Sequence, residues 1–189
     1  MAYSLRLSAS SRLVFGLNVG ALLLMVPAIA LFAWPAAARG FIENDSVFSF
    51  EISLIDGLLL IGAAIAIVVL HEFVHGVTMS AFGARPRYGI KWELMAAYAV
   101  ARDHLFARNA FLAVALMPLA TLTPLLWIAT WWLPSGGFWM AAALAGVLNT
   151  VGAVGDLFMS WKVSRYPSSA RVLDEEDGLT IYEEASGVG

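Results

Sequence analysis

The chain contains no cysteine and few charged residues. Among its 189 residues, Asp, Glu, Lys and Arg make up 13% and hydrophobic residues 60%, whereas soluble domains are about a quarter charged and about half apolar. The lack of cysteine excludes disulfides, thiolate metal ligands and a cysteine nucleophile. The formal net charge of −3 and the lack of a basic cluster argue against nucleic-acid binding. This composition predicts a protein embedded in a lipid bilayer.

Four long apolar stretches predict four transmembrane helices, because an apolar run of about 20 residues spans a bilayer. The first run is followed by Ala36-Ala37-Ala38, which also resembles a signal-peptide cleavage site. Signal peptides have apolar regions of only about 7–15 residues, so a retained first helix is the preferred interpretation. The predicted helices cover residues 13–34, 54–82, 109–133 and 138–163.

The connection between the second and third helices differs from the others. Arg87–Leu94 alternates polar and apolar residues, and a weaker alternation follows in Ala96–Arg102. This pattern predicts a β-hairpin-like loop, with an interfacial amphipathic segment as the alternative. We expect an all-α membrane protein with this one short hairpin, in which residues 1–163 form a single transmembrane domain and residues 164–189 form a polar, acidic cytoplasmic tail. A flexible tail is the preferred interpretation, and docking of Ile181 and Tyr182 elsewhere on the protein is the alternative.

The basic residues predict the orientation in the membrane. Ten of the eleven Lys and Arg residues fall in the N-terminal segment, the second connection and the start of the tail, and only Arg39 falls in the first external loop. Basic residues concentrate in cytoplasmic segments. We therefore expect an integral membrane protein of the cell membrane with both termini in the cytoplasm.

The end of the second helix carries an HExxH motif, His71-Glu72-Phe73-Val74-His75, followed by Gly76. Residues four apart share a helix face, so His71 and His75 can direct two imidazoles at one metal ion. Glu72 lies where it can reach a water on that metal. Ionisable residues inside a membrane cost about 2.5–3.5 kcal/mol each on insertion scales. Two of the three histidines lie in this motif, which favours a metal site over a structural histidine pair.

A zinc site needs a third protein ligand. His104, the other histidine, lies in the charged second connection, and Asp156 of the fourth helix is the better candidate. At a rise of about 1.5 Å per residue, Asp156 reaches a membrane depth similar to that of the motif; a helix cap or a salt bridge is its alternative role. Asn149, seven residues earlier, shares its helix face. Gly152 and Gly155 between them leave room for another helix or for substrate.

With the motif on one helix and Asn149 and Asp156 on a later one, Ser53–Trp161 resembles a small zincin-peptidase family of integral membrane proteins. It is more distantly similar to the site-2 protease family of intramembrane zinc metalloproteases. The resemblance implies Glu72 as the general base that activates a zinc-bound water and Asn149 as a catalytic residue that contacts the substrate backbone or the intermediate. Site-2 proteases commonly have a glycine after the aspartate, where this chain has Leu157. The implied ligands of Zn²⁺ are His71, His75 and Asp156.

The predicted function is that of an intramembrane zinc metalloendopeptidase. Its expected partners are the lipid bilayer and a membrane protein or peptide substrate, with no nucleic acid, and the oligomeric state is not predicted. A strand edge of the hairpin can hold an extended substrate by β-augmentation. The alternatives are a non-catalytic metal-binding membrane protein, such as a pseudo-protease, and a partner-binding protein in which the histidines only bridge helices. The intact Glu72 favours catalysis.

Overall fold

The computed structural model describes residues 2–6, 10–41, 53–91, 96–175 and 178–183. In this part of the chain, four helices are long and apolar enough to cross a membrane, which confirms the predicted number. The helices are α1 (Ser11–Ala38), α2 (Leu54–Ala81), α3 (Arg108–Trp132) and a fourth in two parts, α4 (Gly137–Gly152) and α5 (Val154–Ser164).

The helix that carries the motif begins at a capping box. The Asp56 N–H donates to Ser53 Oγ at 3.2 Å, and the Ser53 N–H donates to the Asp56 carboxylate at 3.1 Å. These reciprocal bonds satisfy N–H groups that have no partner within the first helical turn. From this start α2 runs for 28 residues to Ala81, so the motif lies well inside a continuous helix.

The fourth helix is broken at Ala153, whereas the sequence predicts one continuous helix over residues 138–163. Ala153 has φ −69° and ψ 4°, ends α4 and precedes α5. Gly152 and Gly155 flank the break, and glycine is about 1 kcal/mol less favourable than alanine inside a helix. The break places Asp156 in the first turn of α5, where the positive end of the helix dipole favours a carboxylate.

The predicted hairpin is confirmed as an antiparallel pair. It consists of β2 (Arg87–Lys91) and β3 (Ala96–Val100), with Arg87 opposite Val100 and Lys91 opposite Ala96. The predicted strand residues 92–94 lie outside the described residues. The hairpin packs against α2, which brings β3 next to the motif.

A second, four-stranded antiparallel sheet joins three distant parts of the chain. Its strands lie in the order β1 (Ala2–Arg6), β6 (Gly178–Tyr182), β5 (Arg171–Glu175) and β4 (Leu105–Ala107). The pairing of β1 with β6 and of β5 with β4 places the N-terminal segment, the connection before α3 and the C-terminal segment at one end of the helix bundle. These are the three segments that hold ten of the eleven basic residues.

This sheet corrects two expectations, an all-α fold and a flexible tail. The protein is mostly helical with two small antiparallel sheets. Val172, Leu179 and Ile181 are fully buried and pack with Phe106 of β4 against the helix ends. The polar composition of the segment conceals this inward-facing set, which becomes a core only when distant strands pair. The polar loop over residues 42–52, the acidic residues 176–177 and residues 184–189 lie outside the described part.

Candidate metal centre and active site

Three side chains with metal-binding atoms converge between α2 and α5. His71 Nε2 lies 3.1 Å from Asp156 Oδ2, and His75 Nε2 lies 3.5 Å from Asp156 Oδ1. The two imidazole rings meet edge to face, with centroids 4.9 Å apart. One ligand atom from each of the three residues lies within 4.8 Å of the others. Residues predicted to bind one metal ion are therefore brought together by one turn of α2 and the first turn of α5.

Both histidines have their second ring nitrogen turned toward an acceptor. His71 Nδ1 lies 3.0 Å from Asn149 Oδ1, and His75 Nδ1 lies 2.9 Å from the Val114 carbonyl oxygen. These oxygens only accept hydrogen bonds, so each Nδ1 carries the hydrogen and donates it. In the neutral form that binds a metal, the lone pair of each ring is then on Nε2, which faces Asp156. Such partners fix the tautomer and the ring orientation of metal-binding histidines.

The orientation of the Asn149 amide follows from its other contacts. Asn149 is 2% exposed, and its Nδ2 donates to the Pro118 carbonyl at 3.3 Å and to Thr123 Oγ1 at 2.9 Å. The Pro118 carbonyl can only accept, so the nitrogen of the amide must face it and the oxygen must face His71. Asn149 thus ties the His71 ring to α3 and holds it in place.

The donor set fits a zinc ion. Zinc is bound at about 2.0–2.2 Å by histidine nitrogen and carboxylate oxygen in tetrahedral geometry. Two donors on such an ion are separated by about 3.4 Å. The two nitrogen–oxygen distances here, each to a different oxygen of Asp156, are 3.1 and 3.5 Å, and one ligand atom from each residue lies within 4.8 Å of the others. A site of two imidazoles and one carboxylate also suits zinc among the divalent ions. Three protein ligands leave a fourth position for water or substrate.

Glu72 is held beside this group by the backbone of β3. Its Oε2 accepts a hydrogen bond from the Ala99 N–H at 2.7 Å. Ala99 lies opposite Tyr88 of β2, and its N–H points away from that strand because it is bonded to Glu72. The predicted base therefore lies between the metal-binding group and the edge of β3 that faces away from β2.

Gly76 allows the hairpin to approach the motif. A side chain carbon at this position would overlap the hydroxyl and ring of Tyr88 from β2. The absence of a side chain lets Tyr88 lie directly on α2, one residue after His75. Gly76 follows the HExxH motif in the sequence, but the reason for a glycine at this position follows only from the contact with Tyr88 of β2 in the structure.

Two cavities meet at Glu72. The first, called here the bilayer-side cavity, has a volume of about 260 Å³ and lies between α2 and α4, lined by Val68, Leu148 and Gly152 together with His71 and Glu72. The second, called the tail-side cavity, has a volume of about 150 Å³. Its lining includes Glu72, His75, Asp156, Ala99 and Asp174.

Asp174 brings the C-terminal segment into the candidate active site. This residue of β5 is 8% exposed. Burial raises the pKa of its carboxyl to about 7, and the charge of His75 and a hydrogen bond from the Ala101 backbone N–H oppose that rise. From the sequence alone, Asp174 is predicted only as part of a polar, acidic tail. Val172 and Asp174 are two residues apart and therefore share one face of β5; this spacing from an apolar residue is the signal that could have revealed an inward-facing carboxyl.

His104 is not part of the metal-binding group. Its ring lies 4.5 Å from that of Phe106, centroid to centroid, in an edge contact. In the part of the chain that the structure describes, the only cluster of three or more potential metal ligands is the one formed by His71, His75 and Asp156.

Comparison with known proteins places the chain in a family. Residues 64–171 match a family model described as "Putative zincin peptidase". Because this match covers more than half of the chain, the chain belongs to that family. It is also 30% identical over 115 residues to a Pyrococcus woesei protein described as an "Uncharacterized 24.7 kDa protein in gap 5'region", with 59% of this chain aligned. The chain spans about half, 49%, of that relative's length. No solved structure matches the chain.

Proposed function

We propose that this member of the zincin-peptidase family is an intramembrane zinc metalloprotease of the site-2-protease type. Its substrates would be membrane-associated proteins or peptides. The family suggests a metallopeptidase. The observation that carries the finer proposal is the convergence of the three metal-binding side chains beside Glu72, on helices that are long and apolar enough to cross a membrane.

The proposed reaction is hydrolysis of a peptide bond. A zinc ion held by His71, His75 and Asp156 would supply Lewis acidity, which makes water a stronger acid and polarises the substrate carbonyl. Glu72 takes a proton from the attacking water, whose oxygen bonds to the carbonyl carbon. The carbon–nitrogen bond then breaks, and Glu72 returns the proton to the leaving amine. Water and the peptide bond are consumed, and the products are a carboxylic acid and an amine, which exchange a proton to give a carboxylate and an ammonium group.

The edge of β3 that faces away from β2 is the proposed binding site for the substrate backbone. Alternate residues of an antiparallel strand direct their N–H and C=O groups to the same side. Since the Ala99 N–H points into the cleft, the backbone groups of Ala97 also face the cleft. An extended peptide can pair with this edge as an additional strand, which would place its backbone next to Glu72. A peptide bond in a helix is shielded from attack, and unwinding of the helix into this extended conformation would expose the bond to the attacking water.

Asn149 acts in this proposal as a positioning residue. Its contact with substrate or intermediate stays a prediction. The hydrogen bonds of its side chain go to His71, Pro118 and Thr123. These contacts support a role in holding the His71 imidazole with Nε2 toward the metal ion.

We further propose that the metal centre faces the cytoplasmic half of the membrane. The four-stranded sheet groups both chain ends at one end of the bundle. The segments at this end carry most of the basic residues, and basic residues concentrate on the cytoplasmic side. The motif lies in the last part of α2, close to this end.

The direct test is cleavage of a single-pass membrane peptide in liposomes by the zinc-loaded protein. The wild type should cleave the peptide, and Glu72→Gln should retain zinc and lose at least a hundredfold in rate, because general-base catalysis contributes about 10²–10⁴-fold. Asp103→Asn is a matched control, since it makes the same carboxylate-to-amide class of change at an exposed residue paired with Arg87. Equal cleavage by wild type and Glu72→Gln would refute the proposal.

A further inference from the structure

The end of α5 carries two basic side chains on one aromatic surface. Arg165 Cζ lies 4.5 Å from the centre of the Trp161 ring, and Lys162 Nζ lies 5.3 Å from the same centre. Phe158 extends this surface by one turn toward the start of α5, because its ring centre lies 6.1 Å from that of Trp161 and 5.9 Å from Lys162 Nζ. The two cations are therefore held side by side at the end of a membrane-spanning segment.

The two cations have no acidic partner among the described residues. In that part of the chain, the ion pair of an arginine or lysine with a carboxylate is the one between Arg87 and Asp103. Lys162 and Arg165 are three residues apart on one helix, and like charges at such spacing repel each other. An anion bound between them would offset this repulsion, and Trp161, which is 49% exposed, leaves the surface accessible to one.

A third basic residue lies at the same depth on α1. The helices α1 and α5 touch at Gly20 and Val154, because a side chain carbon added to Gly20 would lie 3.1 Å from Val154. Arg12 and Lys162 each lie eight residues from this contact, toward the end of the bundle that carries the four-stranded sheet. At a rise of about 1.5 Å per residue, both lie about 12 Å beyond the contact.

The helix dipoles do not account for all three cations. Lys162 lies in the last turn of α5, where the negative end of the dipole favours a cation. Arg12 lies in the first turn of α1, where the positive end of the dipole disfavours a cation. That turn contains no acidic residue that would offset the charge of Arg12. An external anion at this end of α1 and α5 would be attracted by all three side chains.

An open space separates the two helices next to these cations. Gly16 lies one turn from Gly20 on the same face of α1, but a side chain carbon added to Gly16 meets no atom within 4 Å. The helices are therefore close at Gly20 and further apart at Gly16. Phe158 lies one turn after Val154 on the corresponding face of α5. The space between Gly16 and Phe158, called here the α1–α5 crevice, is apolar and ends at the basic side chains.

We propose that the α1–α5 crevice binds one anionic phospholipid, whose phosphate lies among Arg12, Lys162 and Arg165 and whose acyl chain lies between Gly16 and Phe158. Basic pockets between membrane helices are known to bind anionic lipid head groups. The apolar crevice favours a lipid over a free phosphate ester, because only the lipid has an acyl chain to place there. The bound lipid connects α1 to α5, the short helix that follows the break. The inference does not depend on the proposed protease activity.

The first test changes the charge at the crevice. The probe is phosphatidylglycerol, titrated against the detergent-purified full chain in native mass spectrometry, with neutral phosphatidylcholine as the comparison lipid. Lys162→Gln/Arg165→Gln should raise the dissociation constant for phosphatidylglycerol about 30-fold. This factor is about 2 kcal/mol at 1.4 kcal/mol per factor of ten, or about 1 kcal/mol for each basic residue near an anionic lipid.

Arg85→Gln/Arg87→Gln is the matched control for this test. It removes the same two charges from exposed residues of the second connection, so it should leave the dissociation constant within about threefold of the wild-type value. Equal weakening by the two double variants would show general attraction by net charge and would overturn the inference. Equal affinity of the wild type for phosphatidylglycerol and phosphatidylcholine would also overturn it.

The second test fills the crevice without a change of charge. Gly16→Phe should raise the dissociation constant for phosphatidylglycerol about tenfold, which is about 1.4 kcal/mol, because the added ring and an acyl chain cannot occupy the same space. Gly62→Phe is the control, because a side chain carbon added to Gly62 of α2 also meets no atom within 4 Å. Equal dissociation constants for these two variants would refute binding in the crevice. Displacement of the lipid by an equal concentration of glycerol phosphate would assign the cations to a free phosphate ester and refute a lipid site.

The third test measures thermal stability in place of binding. A ligand that binds only the folded chain stabilises it. Phosphatidylglycerol should therefore raise the melting temperature of the wild type above its value in phosphatidylcholine and leave that of Lys162→Gln/Arg165→Gln unchanged. An equal rise in both proteins would contradict the proposed site.

Discussion

Replacement of Asn149 by alanine should weaken zinc binding without removing a ligand. The change deletes the acceptor for His71 Nδ1–H, at 3.0 Å, and both donors of the amide group. The His71 ring then loses the contact that fixes its tautomer and direction, while His75 keeps its bond to the Val114 carbonyl. The zinc affinity of the variant therefore measures how much the orientation of the His71 ring contributes to metal binding.

The expected loss can be estimated from one buried hydrogen bond. Leaving a buried donor without a partner costs about 1–3 kcal/mol. Loss of a partner that orients a metal ligand typically lowers metal affinity about 10–100-fold, which corresponds to about 1.4–2.8 kcal/mol at 1.4 kcal/mol per factor of ten. The two ranges overlap, so we expect the zinc dissociation constant of Asn149→Ala to rise about 10–100-fold.

The assay is zinc competition with a chromophoric chelator in detergent. Thr150→Val is the control, because Thr150 is the next residue of α4 and its hydroxyl bonds to the Gly146 carbonyl and to Thr123, with no contact to a histidine. The zinc dissociation constant of Thr150→Val should stay within about threefold of the wild-type value, which corresponds to a change in binding free energy of less than about 1 kcal/mol. A dissociation constant for Asn149→Ala equal to that of Thr150→Val would refute the assigned role of Asn149.

Two further predictions concern the hairpin and the C-terminal strand. Gly76→Ala should push Tyr88 away from α2, so hydrogen exchange in β2 and β3 should accelerate while zinc content is retained; unchanged exchange would contradict the proposed contact. The pKa of Asp174 is raised from 3.8 to about 7, so the folded chain holds a proton that the unfolded chain releases. After zinc is removed by chelation, stability should therefore fall by up to about 4 kcal/mol as pH rises from about 4 to 7 and level off above 7. Asp174→Asn should lack this fall in thermal melts between pH 5 and 8, and an identical pH dependence in the variant would exclude the assignment.

The membrane helices and the position of the metal-binding group were accessible from the sequence because they depend on local rules. Apolar length predicts a spanning helix, and a spacing of four places His71 and His75 on one face. Asp156 followed from the constant rise per residue of two helices that run in the same direction. None of these steps needs knowledge of how distant segments pack.

The four-stranded sheet was not predictable by the same means. In this sheet only the pair of β5 and β6 joins neighbouring segments, whereas the pairs of β1 with β6 and of β4 with β5 join strands that lie far apart in the chain. The strands are only three to five residues long, which is too short for a period of two to stand out in a polar segment. Asp174 reaches the candidate active site only because of this pairing.

The helix break and the support of His71 also depend on tertiary structure. The hydropathy of residues 137–164 is continuous, so the break at Ala153 was marked only by the flanking Gly152 and Gly155. The spacing of seven residues was sufficient to predict that Asn149 and Asp156 share one face of the fourth helix. Its bond to His71 required the packing of α4 against α2, which no local pattern specifies.

Metal content of the detergent-purified chain, measured by elemental analysis, tests the central claim most directly. The wild type and Glu72→Ala should each hold about one zinc per chain, and Asp156→Ala should hold much less, because Asp156 is assigned as a ligand and Glu72 as the base. No zinc in the wild type after reconstitution, or equal zinc in Asp156→Ala, would contradict the assigned metal centre.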